Sequence, residues 1–330
     1  MVTVGLIGCG RIAERHLEAY RTLEGVRLVV ADLDPEAARR LATSHSVDWV
    51  PSVDDLWNRK LDAVDVCVPT PMHAEMVLAW LRAGRHVFCE KPLCQTMEQA
   101  LQIEQLRKTT GLQVQVGYLY RFHPAYQLAQ RAISDGVIGA PHLALFRLGG
   151  RGNTRAWKHD ADAGGGATLE MMVHTLDLVQ WLLGPIDDAQ LLARRTLLPE
   201  RHIDGRTHVA SAEDYVLARL RAGGAEVVCQ SDLATPSYMN YTEVQGDNGT
   251  LFTSILSYLP TIIYLREPRG VFNLGNNFYE FPTVNLFELE LGHFVRALEG
   301  GVEPLNSVQD SIQVLSLIEG FDKERLIGTG

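Results

Sequence analysis

Val4-Gly5-Leu6-Ile7-Gly8-Cys9-Gly10-Arg11-Ile12-Ala13 reads as a strand, a glycine turn and a helix start. Gly8 permits the tight turn, Gly10 lets backbone approach a pyrophosphate, and the small Ala13 allows the helix to lie close to the sheet. Arg11 and Ile12 bring the first amides of that helix to the same place, where the helix dipole favours an anion. Alone, such a glycine pattern is weak. It gains context because the next β-branched run, Val26–Ala31, ends at Asp32, about twenty residues on, where a carboxylate accepts hydrogen bonds from adenosine ribose hydroxyls and repels a 2′-phosphate. NAD is therefore expected over NADP, although Arg39 and Arg40 on the following helix are placed to reach toward a phosphate. Asp34 before Pro35 reads as a helix N-cap.

Outward from this segment, short apolar runs alternate with helical ones as far as about Leu119. Strands are expected at Thr3–Ile7, Arg27–Ala31, Ala63–Val68, His86–Cys89 and Gln113–Tyr118, with a capping box at Thr96 and Gln99. This is the pattern of crossover units and a doubly wound parallel sheet. After Arg121 the rhythm changes to a helix near Pro124–Ser134 and then mostly alternating strands from His142 to Leu265. These are interrupted by Gly164–Gly166 and a helical stretch at about Thr168–Leu183, ending at Gly184-Pro185. Two further helices, about Leu286–Glu299 and Ser307–Arg325, close the chain. The expectation is an α/β protein of two domains: residues 1–119 bind the dinucleotide, and residues 120–330 form an α+β domain with a large, mostly antiparallel open sheet. The last helix is a candidate to pack back on the first domain.

The chain has 330 residues, 46% of them apolar and 21% charged, which suits a folded protein with a large interior and excludes disorder as its main state. Thirty Lys plus Arg against forty Asp plus Glu give a formal charge of −10, so the average surface repels phosphate backbones and anionic headgroups. Neither a nucleic-acid nor a membrane partner is expected. No stretch approaches the roughly 18 apolar residues of a membrane span, and the chain opens directly into Val2–Ile7 without a signal-like pattern. The expected location is the cytoplasm, and the five cysteines (Cys9, Cys67, Cys89, Cys94, Cys229) read as thiols in a reducing compartment. No zinc-ligand spacing is present, and no metal is expected.

Val68-Pro69-Thr70-Pro71-Met72-His73 leaves the fourth expected strand on the side where open parallel sheets bind ligands. Thr70 and Pro71 are placed to line the nicotinamide half of the groove; His73 either joins them or ties the helix start together. The next strand ends in Cys89-Glu90-Lys91-Pro92, and an ammonium there is placed to hydrogen-bond a substrate hydroxyl and favour its alkoxide. In the second half, Glu170, His174 and Asp177 are spaced by four and three residues, which puts them on one helical face. A neutral imidazole on that face is suited to take a hydroxyl proton, because its pKa lies close to working pH. A hydrogen-bonded core histidine with solvated acids beside it is the plainer alternative.

The order GxGxxA, Asp32, Thr70-Pro71 with His73, and Glu90-Lys91-Pro92 resembles the Gfo/Idh/MocA oxidoreductases, the family of glucose–fructose oxidoreductase and inositol dehydrogenase. The resemblance continues through Gly117-Tyr118-Leu119-Tyr120-Arg121-Phe122-His123-Pro124, Gly136-Val137-Ile138-Gly139, and Gly164-Gly165-Gly166 with His174, Asp177 and Trp181, and covers nearly the whole chain. It implies a Rossmann domain binding NAD through Gly8, Gly10, Arg11, Ile12, Asp32, Thr70, Pro71, His73, Glu90 and Lys91. It also implies oxidation of a secondary alcohol on a sugar, sugar derivative or inositol, with Lys91 and His174 flanking the reacting alcohol. Glu170 and Asp177 are expected to orient His174 or hold the ring.

Where relatives acting on inositols and sugars commonly carry an aspartate four residues before the histidine, this chain has Glu170, which leaves open the hydroxyl that is bound. Trp157 and Lys158 resemble a loop that closes over substrate, or equally an oligomer contact. Tyr120 and Arg121 border the pocket or tie the domain junction, and His16 and Trp181 are expected to pack. The resemblance further implies a homodimer or homotetramer. Two rivals stand beside this reading: a non-catalytic dinucleotide sensor, which has little reason to keep both Lys91 and His174, and a glycosidase using tightly held NAD.

Overall fold

The strands of the first half are short and buried along nearly their whole length, as parallel strands covered on both faces must be. They appear in a computed structural model that describes all residues except 151, 153, 154, 237, 238 and 328–330, with side chains described as far as Asp322. In chain order these elements are β1 (Val2–Ile7), α1 (Arg11–Tyr20), β2 (Val26–Ala31), α2 (Pro35–His45), β3 (Asp48–Trp49), β4 (Ala63–Val66), α3 (His73–Arg82), β5 (His86–Cys89), α4 (Met97–Thr110) and β6 (Val114–Val116). The parallel sheet runs in the order β3-β2-β1-β4-β5-β6. Strand order therefore reverses between β1 and β4, and the crevice outside their carboxyl ends is where such sheets bind ligands.

Local chemistry sets several boundaries. Asp34 accepts from the Glu36 amide at 3.0 Å with Pro35 in the first turn of α2. Thr96 and Gln99 cap α4 reciprocally. β4 stops at Val66, short of the expected Val68: the Cys67 amide still reaches the Ile7 carbonyl at 2.9 Å, but Pro69 has no N–H to continue a ladder.

The later elements are α5 (Pro124–Ser134), β7 (Pro141–Gly149), α6 (Val173–Leu183), β8 (Ile186–Arg195), β9 (Glu200–Ile203), β10 (Arg206–Val209), β11 (Tyr215–Ala222), β12 (Ala225–Asp232), β13 (Met239–Gly246), β14 (Gly249–Thr253), β15 (Thr261–Leu265), β16 (Gly275–Tyr279), α7 (Leu286–Leu298) and α8 (Val308–Ile327). Eight of the strands form one sheet, β16-β15-β14-β13-β7-β12-β11-β8, antiparallel except for the β12–β7 pair. β9 and β10 pair separately. The period-two burial of β11 and β13 turns one side of the large sheet toward α5 and α6.

Contacts divide the chain into two compact units: Met1–Leu119 with Asn285–Leu315, and Tyr120–Val284 with Ser316–Gly330. The linear division at residue 119 assigns Asn285–Leu315 to the second half, whereas here α7 packs on α1, with Leu291 and Phe294 inside the core of the first unit. Among the described residues no helix is long and apolar enough to cross a membrane. The five cysteines are free thiols, and all but Cys9 are buried.

His123 caps α5 through Nδ1, which accepts from the Ala125 amide at 3.2 Å, and burial pushes its pKa down to about 4. Charging this ring favours the unfolded chain, where the pKa is near 6.5, so its contribution is intact above about pH 6.5 and lost as pH falls toward 4. His123→Asn keeps a capping oxygen without the titration. Thermal melts at pH 7 and pH 4.5 are expected to show the substitution gaining on the parent at the lower pH; an equal difference at both values excludes this origin of acid sensitivity.

Candidate functional site

The glycine turn lies at the carboxyl end of β1. Gly8 has φ +95°, and a Cβ there would stand 2.6 Å from the Cys67 carbonyl oxygen at the end of β4, so the position needs glycine for both torsion and space. The turn is tied to β2 by Gly8 N–H donating to Ala31 O at 2.9 Å and Cys9 N–H donating to Asp32 Oδ2 at 2.6 Å; Asp32 Oδ1 accepts from the Asp34 amide at 2.8 Å. Asp32 thus shapes the loop with the same oxygens that suit a ribose diol. Gly10 is the N-cap of α1 and supplies no side-chain hydrogen bond, so no side chain caps the amides that begin the helix at Arg11 and Ile12. Among the described residues, and apart from its chain neighbours, no atom lies within 4 Å of a Cβ built on Gly10. A pyrophosphate at a helix N-terminus needs these features, and the residues present fit NAD.

Two glycine substitutions separate fold from cofactor. Gly8→Ala is expected to lower stability by about 1–3 kcal/mol through backbone strain and to weaken NAD binding. Gly10→Ala is expected to leave the melting temperature near that of the parent while weakening NAD, because the added methyl meets only the incoming pyrophosphate. Calorimetric titration with NAD beside thermal melts reads both; unaltered affinity in Gly10→Ala excludes a close approach there.

Thr70–Met72 forms a single 3-10 turn at the exit of β4, with Thr70 half-buried and Pro71 exposed. His73, expected either beside the cofactor or tying the helix start, is buried, and its ring nitrogens lie 2.7 Å from the Pro92 carbonyl and 2.9 Å from the Val68 carbonyl. With both nitrogens facing main-chain carbonyls, one of which accepts the N–H of the neutral ring, it joins two turns. Burial is the main influence that lowers its pKa. On the other side of the Glu-Lys-Pro turn, Glu90 is buried and Lys91 half-buried, and the Lys91 amide donates to Glu90 Oε2 at 3.1 Å. The Lys91–Pro92 peptide is cis.

In the second unit, the glycine-rich turn leads into a single π turn, Thr168–Met172, followed by α6. Glu213 holds this entry: its carboxylate accepts from the Thr168 amide at 3.0 Å and from the Thr168 hydroxyl, and its carbonyl accepts from the Ala167 amide at 2.9 Å. His174 is 6% exposed, and the Tyr120 ring lies 4.8 Å from it between centroids. Glu170 Oε2 is 2.7 Å from Lys158 Nζ, which lies 5.6 Å from the centroid of the Trp157 ring, itself 45% exposed.

Asp177, expected to orient His174 or hold the ring, meets Arg121. Its carboxylate takes a two-pronged hydrogen bond from Arg121, Nε at 3.0 Å and the terminal nitrogen at 2.6 Å, with both side chains buried. An oxygen pair so engaged anchors α6 to Arg121 of the Leu119–Phe122 turn. Arg121 in turn lies 5.7 Å from the Trp181 ring centroid.

Sequence reasoning missed Glu213 and the polar environment of His16. The signal for the second was present: Asp65 interrupts the apolar run Ala63-Val64-Asp65-Val66, and a carboxylate inside a buried strand requires a partner. That partner is His16, whose Nδ1 lies 2.8 Å from Asp65 Oδ2. His16, Asp65 and Cys67 also form the one group among the described residues with ligand atoms close enough for a metal, but their separations are those of hydrogen bonds.

Residues 2–118 match a family model described as an oxidoreductase family with an NAD-binding Rossmann fold, and residues 126–252 match the GFO/IDH/MocA C-terminal domain. The chain is similar to an inositol 2-dehydrogenase of Rhizobium meliloti strain 1021, 27% identical over 329 residues that cover 96% of this chain and 95% of that one. It is 30% identical over 256 residues to an inositol 2-dehydrogenase of Burkholderia multivorans, covering 74% and 72%. Among solved structures, levoglucosan dehydrogenase in complex with NADH and levoglucosan shares the fold with a TM-score of 0.87 at 22% identity, over 98% of this chain and 97% of that one.

Proposed function

Because the chain belongs to the Gfo/Idh/MocA family of NAD-binding oxidoreductases, we propose that it interconverts a secondary alcohol and a ketone on an inositol, a sugar or a sugar derivative. The observation that carries this reading is the position of Lys91. It follows the carboxyl end of β5, on the sheet edge where the glycine turn after β1 and Asp32 after β2 also lie. Inositol, the substrate in the names of the relatives at 27% and 30% identity, is a polyhydroxylated ring and supplies the class.

Bound NAD supplies a hydride acceptor for the carbinol hydrogen. Lys91 donates a hydrogen bond to the carbinol oxygen and favours its anionic form, and the His174 imidazole takes the hydroxyl proton; ketone reduction runs the same groups backwards. Tyr120 shapes the surroundings of His174, and the Lys158–Glu170 pair with Trp157 offers donors, acceptors and an apolar ring face to neighbouring hydroxyls. Arg121 and Asp177 keep α6 in register.

Inositols, free sugars and nucleotide sugars assayed with NAD and NADP by absorbance test the reading. Reduced cofactor is expected with at least one of these polyols, with NAD preferred. NAD binding without turnover on any of them makes the protein a sensor, and cleavage of a glycoside without net NADH makes it a glycosidase.

The large sheet supports self-association. Phe278, Ile262, Phe252, Glu243, Leu145, Val228 and Arg219 follow one another in register across seven strands, and Phe278 is 63% exposed. A face of this kind suits a second copy of the chain. Light scattering is expected to give a dimer or tetramer.

A further inference from the structure

His16 projects from α1 into the core of the first unit and has no exposed surface. It lies among apolar and aromatic groups, with the Phe88 ring edge-on at 5.4 Å and the Phe287 ring at the same distance. A polar ring in such a place is costly unless each nitrogen is paired. Nδ1 lies 2.8 Å from Asp65 Oδ2, and Nε2 lies 3.0 Å from Glu90 Oε1. Both partners are carboxylates, which accept when ionised, so only the doubly protonated ring satisfies both contacts. The titration follows the geometry: burial, the largest single influence, pulls the pKa down, yet Asp65 leads the groups that together carry it well above its usual value.

Glu90 is the outer member of this chain of contacts. One oxygen is held by His16, and the other accepts the Lys91 amide at 3.1 Å. Its carboxylate also fills the space over Gly117, where a Cβ would stand 3.0 Å from Oε2. The other flank of the turn is fixed independently by His73 on the Pro92 carbonyl. A line of hydrogen bonds therefore runs from β4 through α1 to the peptide that carries Lys91.

We propose that His16 is a positioning residue: anchored on Asp65, it fixes the direction of the Glu90 carboxylate and thereby the backbone from which Lys91 reaches the substrate oxygen. This rests on the oxidoreductase reading above. A histidine that only filled the core would contribute to stability and leave turnover alone, whereas a displaced lysine loses transition-state alignment, with penalties of about 10–100-fold for displacements near an ångström.

The test compares parent and His16→Gln in three measurements: steady-state kinetics with NAD and the polyol identified by the assay, thermal melting, and amide hydrogen exchange at Lys91 by NMR without substrate. The expected result is a kcat about 10–100-fold lower, KM for NAD within about threefold of the parent, and Lys91 amide exchange at least severalfold faster. A lowered melting temperature with unchanged kcat or unchanged Lys91 exchange makes His16 a packing residue and overturns the proposal. If His16→Gln does not fold, Glu90→Gln at the rim of the network carries the same measurements: loss of kcat with faster exchange supports positioning, and parental values overturn it. A parent that turns over no polyol defeats the oxidoreductase reading, and the exchange measurement then decides the role of His16 by itself.

Discussion

His174→Ala is expected to lower kcat by about 10²–10⁴-fold while leaving NAD affinity close to that of the parent, because in the proposed reaction the side chain handles the substrate proton and it is not part of the glycine turn. Lys91→Ala is expected to fall in the same range but with a different response to added imidazole. In the proposed reaction the ammonium donates a hydrogen bond to the carbinol oxygen and takes up no proton, so added imidazole does not recover its loss. In His174→Ala, added imidazole is expected to recover part of the turnover by supplying the missing base. Steady-state kinetics from pH 6 to pH 10, with and without imidazole, separates the two. Turnover that survives both substitutions removes these groups from the chemistry.

The largest expected effect on stability comes from Arg121. Replacing it with alanine leaves the Asp177 carboxylate buried without its two-pronged partner, at a cost of about 3–5 kcal/mol. Replacing both residues, as Arg121→Met with Asp177→Leu, removes the stranded charge along with the pair and is expected to recover most of that loss. Denaturant titrations of the two single variants and the double variant give the coupling directly. A double variant as unstable as the sum of the single ones shows that the two side chains act separately, which the 2.6 Å contact opposes.

How much of this was legible in the sequence depended on the range of the interaction. The Asp34 and Thr96 caps and the first residue of α5 at Pro124 were read from two to four neighbouring residues, because each satisfies amides of its own first turn. The glycine turn and Asp32 were readable because their spacing is fixed by one crossover. The two-residue β3 was not, since too few residues alternate to leave a pattern.

Pairings that decide what an ionised side chain does were out of reach. His16 meets Glu90 across 74 residues, Arg121 meets Asp177 across 56, and Glu213 reaches back 45 to Thr168. Helical spacing of four and three residues places Glu170, His174 and Asp177 together, yet one acid answers Lys158 and the other Arg121, because the π turn and the neighbours of α6 set where each side chain ends. Composition carries no trace of that choice.

The neighbours of β7 in the large sheet also govern how the chain comes to be folded. Both strands that flank it, β12 and β13, follow it in sequence, after the whole excursion that contains α6. A growing chain therefore carries β7 with both of its hydrogen-bonding edges vacant until β12 has emerged at residue 232, and with one edge vacant until β13 is complete at residue 246, a condition that invites intermolecular strand pairing. Production of soluble protein should thus be limited during synthesis, and slower elongation at low temperature or help from a holdase is expected to raise yield more than any stabilisation of the finished fold.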